Sequence, residues 1–136
     1  MGDAGAMTPI AWQRLEAAVV AVAAYVAVIV LGFAWWWPLV LFLAFDLSAA
    51  GYAAGPRAGA VLYNAAHNYA VPAALGAVAL VANVPALGLL ALCWAFHVAV
   101  DRALGYGLKL PDHFQHTHLG WIGGGRAAAP NPGEAA

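Results

Sequence analysis

Charged residues leave two long gaps along the chain. Residues 17–45 form a run of 29 positions without Asp, Glu, Lys or Arg, and residues 58–100 form a second run of 43. A membrane-spanning helix needs about 20 apolar residues, at about 1.5 Å per residue. Each run is therefore long enough for two antiparallel helices.

Turn signals divide each run. In the first run Gly32 precedes Trp35-Trp36-Trp37-Pro38. Tryptophan side chains collect at membrane interfaces. Proline is tolerated in the first turn of a helix, so a new helix can begin there. In the second run Asn83-Val84-Pro85 is a polar turn followed by a helix-starting proline. We predict an all-α integral membrane four-helix bundle made of two helical hairpins. The predicted spans are about 12–32, 35–51, 57–82 and 86–104. The alternative is one tilted helix in the first run, which gives three spans and puts the termini on opposite sides.

The composition agrees with a membrane protein. Hydrophobic residues make up 65% of the chain, charged residues 8%, and the mean hydropathy is +0.79. Since a soluble domain carries about a quarter charged residues, these values exclude a soluble enzyme, a disordered chain and a disulfide scaffold. A net charge of -1 without a basic run argues against nucleic acid as a partner. The lipid bilayer is the expected partner, and Cys93, the single cysteine, is interpreted as a small core residue.

The basic residues predict the orientation. With four spans, all of them lie on the side of the two termini, and the opposite turns carry none. They are Arg14, Arg57, Arg102, Lys109 and Arg126. The positive-inside rule then predicts a bacterial inner-membrane protein with both termini in the cytoplasm. Residues 1–122 are predicted to form one domain ending in a His-rich cytoplasmic segment, 105–122, and residues 123–136 a disordered tail.

A few ionisable and polar residues interrupt the apolar spans. Each ionisable group costs roughly 2.5–3.5 kcal/mol to insert and is by default a functional hypothesis. Asn64 and His67 share a face of the third span, and His97 and Asp101 share a face of the fourth. Together with Asp46 in the second span, they fall in the half of the bilayer nearest the termini. We therefore predict that they form one site.

Imidazole and carboxylate groups together are typical ligands of zinc, iron or manganese. We predict that His67, His97 and Asp101 bind one such divalent ion. His118, from the segment after the fourth span, is the candidate fourth ligand. For that histidine and its neighbours His113 and His116, a lid over the site and a solvated loop are both open interpretations.

Catalysis at this site would use the remaining polar groups. Asp46 is the candidate general base, and Asn64 belongs to the candidate catalytic set. Because metal-bound water becomes nucleophilic near neutral pH, the predicted function is a metal-dependent, hydrolase-like membrane enzyme. The expected substrate is lipid-like or small and apolar.

Three other functions fit the same residues. His67 and His97 on adjacent helices are candidate axial ligands of haem in a membrane redox protein. A small carrier would use the polar set as an ion or proton relay and would require a homo-oligomer. A structural subunit needs no bound ion; its packing motif would be Gly51-x3-Gly55-x3-Gly59, although Pro56 and Arg57 make that motif more typical of a turn. In each of these cases Arg102 is expected to extend towards the headgroups.

Several motifs together resemble an uncharacterised family of small bacterial membrane proteins, domain-of-unknown-function family 4260. They are Phe45-Asp-Leu-Ser48, Gly51-Tyr52, Gly55-Pro-Arg57, Tyr63-Asn64-x2-His67, His97-x3-Asp101-Arg102, Leu104-Gly-Tyr-Gly-Leu-Lys109 and Thr117-His118-Leu119-Gly120. Phe45 departs from the family, which usually has proline there. The resemblance implies a four-helix membrane protein and no particular activity. More loosely, the His and His-x3-Asp pattern on successive helices is similar to membrane-bound metal-dependent hydrolases.

Overall fold

The computed structural model describes residues 6–124. Four helical segments among them are long and apolar enough to cross a membrane: Pro9–Val30, Trp37–Ala54, Pro56–Ala82 and Pro85–Leu104. This confirms the predicted four-helix class and shows that the three-span alternative is wrong. The span ends differ from the predicted ones by at most about three residues. From residue 125 onward the predicted disordered tail lies outside the described residues, and the side on which the termini lie stays a prediction.

The first span is a single helix, α1, Pro9–Val30. Its N-terminus is capped by Thr8, whose Oγ1 accepts a hydrogen bond from the backbone N–H of Ala11 at 3.1 Å. Pro9 occupies the first turn, where no backbone donor is needed. The chain leaves the helix through Gly32, whose φ of +84° favours glycine. The predicted first turn is therefore present.

The second span changes helix type. A short helix, α2, Trp37–Val40, leads into a 3₁₀ helix, Phe42–Ala54, of 13 residues. Because 3₁₀ runs longer than three or four residues are uncommon, such a stretch often marks a functional region. The 3₁₀ helix ends at Gly55, where φ is +109°. The predicted turn lies there, whereas Gly59 serves close packing, since a Cβ atom on it would collide with the ring of Tyr52.

The third span is interrupted. Helix α3, Pro56–Ala66, ends before His67, and helix α4, Ala70–Ala82, begins after Tyr69. The sequence predicted one continuous helix over 57–82. The interruption coincides with the polar stretch His67-Asn68-Tyr69. Non-helical backbone at membrane depth requires protein groups to satisfy its hydrogen bonds.

The fourth span, α5, Pro85–Leu104, lies at the centre and contacts α1, α4 and the second span. Its neighbour α1 buries a stripe of small side chains, which lets two backbones approach closely. The stripe consists of Ala17, Ala21, Ala24 and Val28. Large apolar side chains point outwards, among them Leu80 and Val81, which are 84% and 90% exposed. This is the surface expected to face lipid.

After Gly105 the chain folds back over the end of the bundle at which α1 begins and α5 ends, here called the terminal end. Lys109 forms a β-bridge with Thr117, and two short antiparallel strands follow, β1, His116–Thr117, and β2, Gly120–Trp121. A 3₁₀ turn, Ile122–Gly124, completes the segment. We call residues 105–124 the C-terminal hairpin.

Candidate metal centre

Four side chains from three spans converge near the terminal end. Asp46 comes from the 3₁₀ helix, His67 from the end of α3, and His97 and Asp101 from successive turns of α5. One ligand atom of each lies within 4.8 Å of the ligand atoms of the others. We call these four residues the Asp/His group. The sequence predicted that they share a site, and the structure brings all four together.

The separations within the Asp/His group suit a single ion. His67 Nε2 lies 3.3 Å from Asp46 Oδ1 and 3.5 Å from Asp101 Oδ2. His97 Nε2 lies 3.6 and 3.5 Å from the same two oxygens, and the two Nε2 atoms are 2.9 Å apart. Around zinc with bonds of about 2.1 Å, tetrahedral ligand atoms are about 3.4 Å apart. Most of the observed separations are close to that value.

A backbone hydrogen bond determines the tautomer of His67. Its Nδ1 lies 2.9 Å from the carbonyl oxygen of Tyr63. Because a carbonyl oxygen only accepts, Nδ1 carries the proton and donates. In the neutral ring the lone pair is then on Nε2 and points at the other three ligand atoms. Histidines that bind metal ions are commonly held in this way.

Aromatic rings enclose the two histidines. The ring of Tyr63 stacks on His67 with centroids 3.6 Å apart, and its hydroxyl donates to Asp101 Oδ2 at 3.3 Å. The rings of Phe42 and Phe45 lie 4.6 and 5.4 Å from His97. These contacts exclude water from the histidine side of the group and fix the orientation of both imidazoles.

The helix break that positions His67 is satisfied by side chains. The end of α3 leaves the carbonyls of residues 64–67 without helical partners. Asn68 Nδ2 donates to the carbonyls of residues 64 and 65, both at 2.8 Å. Trp94 Nε1 donates to the carbonyl of Ala66 at 2.6 Å. Arg102 Nη2 donates to the carbonyl of His67 at 3.0 Å. The break is therefore a specified feature of the fold, with every one of these carbonyls paired.

The Asp/His group is open on one side. The side chains of His97 and His67 are 0% and 3% exposed, that of Asp101 15%, and that of Asp46 43%. Access is therefore past Asp46. An apolar cavity of about 650 Å³ extends instead from the turns near Gly32 and Asn83 to Ala95 and is not lined by any member of the group.

Asn64 has a different position from the one predicted. Its side chain joins the C-terminal hairpin to α3: Oδ1 accepts from the backbone N–H of Lys109 at 2.7 Å, and Nδ2 donates to the carbonyl of Lys109 at 2.9 Å. Both ends of the amide are thus used by one backbone residue. Its membership of the catalytic set stays a prediction.

His118 lies outside the Asp/His group. Its Nδ1 accepts from the backbone N–H of Leu108 at 2.8 Å, and its Nε2 lies 3.3 Å from Arg102 Nη1. Nδ1 is therefore occupied within the hairpin, and Nε2 faces the guanidinium of Arg102 on α5. Partial burial and the adjacent guanidinium lower the pKa of His118 from its usual value of 6.5. The structure does not bring this predicted fourth ligand to the Asp/His group, which contains Asp46 instead.

The other two loop histidines are also separate from the group. His116 stacks on Trp121 with centroids 4.3 Å apart, and its Nδ1 lies 2.6 Å from Asp112 Oδ2. This hydrogen bond lowers the pKa of Asp112. His113 Nδ1 accepts from the backbone N–H of Gln115 at 3.1 Å. These contacts all lie within the hairpin.

Two cations have positions that the sequence did not indicate. Arg102 was expected to reach the headgroups, but it is only 7% exposed and bonds to the helix break. Lys109 is 4% exposed, with Nζ 4.9 Å from the ring centroid of Tyr63 and 4.1 Å from that of Phe114. Burial lowers the pKa of Lys109, opposed by the charges of Asp101 and Asp46. The only sequence signal for either residue was its proximity to the polar stretch.

The fold and the Asp/His group together define a multi-pass membrane protein with a candidate metal centre between its spans. A family model described as "Domain of unknown function (DUF4260)" matches residues 10–122, and the chain belongs to this family. The resemblance drawn from the sequence motifs is thereby confirmed. No curated protein and no solved structure matches the chain.

Proposed function

We propose that the protein is an integral membrane metalloprotein in which His67, His97 and Asp101 of the Asp/His group bind one divalent transition metal ion, with Asp46 beside it. The observation that carries the proposal is the convergence of two imidazole nitrogens and two carboxylate oxygens at separations of 2.9 to 3.6 Å. Imidazole and carboxylate ligands together favour zinc, with iron and manganese as the other candidates.

Electrostatics supports the same proposal. Two carboxylates close together at membrane depth repel each other and are costly to desolvate. A divalent ion offsets both charges at once. It also explains why the Nε2 atoms of His67 and His97 face each other at 2.9 Å, since a shared cation attracts both lone pairs.

Haem fits this geometry less well. Two axial imidazoles need about 4 Å between their Nε2 atoms, with the iron and its ring between them. Here the Nε2 atoms are 2.9 Å apart, and the carboxylate oxygens of Asp46 and Asp101 lie beside them. The donor set supports a compact ion rather than a planar macrocycle.

The chemistry we propose is metal-dependent hydrolysis of a lipid-like or small apolar substrate. A bound divalent ion would supply Lewis acidity. Asp46, the most exposed member of the group, lies on the side where a substrate would approach and is the candidate proton acceptor. Tyr63 would hold Asp101 in place through its hydroxyl. Hydrolysis of fluorogenic lipid esters by the zinc-loaded protein, lost in Asp46→Asn with zinc retained, is the expected result.

One observation favours a second function, ion transport. The third span breaks at His67, and broken helices at an ion site are typical of membrane transporters. Zinc flux across proteoliposomes, abolished by His97→Ala, would support transport. Ester hydrolysis without flux would support the enzyme.

Metal content tests the proposal directly. The protein would be purified with a tag that lacks histidine and analysed for zinc, iron and manganese. We expect about one ion per chain in the wild type and a loss of at least tenfold in His67→Ala, His97→Ala or Asp101→Ala. The matched control is the double variant Asp112→Asn, His116→Ala, which removes an Asp–His pair outside the group. Equal metal content in all these proteins would contradict the proposal.

A further inference from the structure

The guanidinium of Arg102 is buried without a carboxylate partner. The residue is 7% exposed; Nη2 donates to the carbonyl of His67, Nη1 lies against His118, and Nε has no hydrogen-bond partner. Among residues 6–124, no carboxylate oxygen lies within 4.0 Å of this side chain. A buried charge without a counterion is costly, so an anion at this position would stabilise the protein.

A cavity of about 300 Å³ lies beside this guanidinium, between α1, α5 and the helix break. Its wall combines polar groups with apolar side chains. The lining residues are Gln13, Glu16, Ala17, Val20, Asn68, Tyr69, Arg102 and Leu108. The cavity is separate from the Asp/His group, none of whose members lines it.

The depth of the cavity suits a lipid headgroup. Gln13 and Glu16 lie in the first two turns of α1, about 6–11 Å along the axis from Pro9. Arg102 lies two residues before the end of α5, at the same terminal end. Val20 is 39% exposed and marks the side on which the cavity meets the outward-facing surface of α1. Phosphate groups of one leaflet lie near this level.

We propose that this cavity binds the phosphate group of one anionic phospholipid from the leaflet at the terminal end. Arg102 supplies the positive charge, and its planar guanidinium suits phosphate oxygens. The hydroxyl of Tyr69 and the amide of Gln13 supply further donors. The acyl chains would leave along Val20 into the bilayer.

Glu16 narrows the class of ligand. It is the one acidic residue in the cavity wall, and its carboxylate is not paired with Arg102. A second negative charge at the wall disfavours a dianion. A singly charged phosphodiester, such as that of phosphatidylglycerol, therefore fits better than a free phosphate dianion.

Lipid binding to the intact protein in a neutral detergent tests this proposal. Native mass spectrometry would follow titration with phosphatidylglycerol, phosphatidylcholine or inorganic phosphate. We expect one saturable phosphatidylglycerol site, with at least tenfold weaker binding of the other two probes. Equal affinity for phosphatidylcholine, or equally tight binding of inorganic phosphate, would overturn the proposal.

Arg102 also donates a hydrogen bond to the helix break, so replacing it could disturb the fold. The variants used here therefore leave Arg102 unchanged. Val20→Phe would fill the cavity and should weaken phosphatidylglycerol binding at least tenfold. The matched control, Val19→Phe, changes an adjacent residue that is 61% exposed and does not line the cavity. Equal binding by the two variants would overturn the proposal.

Glu16→Gln distinguishes a lipid from an internal counterion. If the lipid phosphate neutralises Arg102, the substitution removes a repelling charge and phosphatidylglycerol binds several-fold more tightly. If Glu16 is itself the counterion, the substitution lowers the melting temperature in lipid-free detergent and does not tighten lipid binding. That second result would overturn the proposal.

Discussion

At the scale of single residues, the Asp/His group is oriented by neighbouring side chains and carbonyls that touch its members. Tyr63 does this twice, because its carbonyl accepts from His67 Nδ1 and its hydroxyl donates to Asp101. Such supporting contacts usually contribute 10- to 100-fold to metal affinity. The ligands are thus only part of the centre.

Tyr63→Phe isolates the hydroxyl contribution. The substitution keeps the ring stacked on His67 and removes only the hydrogen bond to Asp101, so zinc affinity should fall about tenfold. Competition with a fluorescent chelator measures it. Tyr69→Phe, the same chemical change at a residue that lines the separate cavity, serves as control. Unchanged affinity in Tyr63→Phe would show that the hydroxyl does not support the centre.

At the scale of elements, the break between α3 and α4 is the feature that brings His67 into the site. Trp94 and Arg102 of α5 satisfy two of its carbonyls, so the fourth span holds the break and also carries two members of the Asp/His group. A continuous helix would need none of these donors. The helix break and the Asp/His group therefore both depend on α5.

Trp94→Phe tests the energetic contribution of this capping. The substitution leaves the part-buried carbonyl of Ala66 without its donor, which costs about 1 kcal/mol. Reversible unfolding in mixed micelles measures the free energy of unfolding. Trp12→Phe, at a side chain that is 53% exposed on α1, is the matched control and should cost much less. Equal losses would mean that the indole N–H does not stabilise the break.

The C-terminal hairpin should loosen in acid. Because the pKa of His118 is lowered in the folded protein, the unfolded chain binds more protons as the pH falls below 6.5. Stability from this group is present above pH 6.5 and is lost as the pH falls through the lower folded pKa. Protonation also removes the acceptor for Leu108 N–H and puts a second positive charge beside Arg102.

Hydrogen exchange at Leu108 measures that loosening. After correction for intrinsic rates, its protection should fall between pH 7 and pH 5 in the wild type. In His118→Gln, which has no titrating ring, protection should change little over the same range. Similar pH dependence in both proteins would assign the effect to another group.

At the scale of the whole molecule, the charge pattern predicted four spans because long uncharged runs and membrane thickness leave few alternatives. The grouping of Asp46, His67, His97 and Asp101 at one end of the bundle was also predictable. It followed from counting residues inward from the ends of antiparallel helices. The helix break did not, because two of its four carbonyls are satisfied by Trp94 and Arg102, which are distant in sequence. The sequence also could not show that His118 lies outside the Asp/His group, because its contacts with Leu108 and Arg102 depend on how the hairpin folds.

The predicted orientation can be tested with cysteine labelling. Cys93 is buried and would be replaced by alanine to give a clean background. Single cysteines near Arg57 and after Gly123 should then react only from the cytoplasm, because the basic residues lie on their side of the bundle. A cysteine near Asn83 should react only from outside. The opposite labelling pattern would reverse the orientation.

X-ray absorption spectroscopy of the zinc-loaded protein tests the central proposal most directly, since it reports the ligands themselves. The proposed centre predicts four nitrogen or oxygen neighbours at about 2.0–2.1 Å, with the outer-sphere scattering of two imidazoles. In His97→Ala, loaded with an excess of zinc to offset its weaker binding, the imidazole signal should fall to one ring. In His116→Ala the signal should stay unchanged. A sulfur neighbour at about 2.3 Å, or an imidazole signal that depends on His116 rather than His97, would contradict the proposed centre.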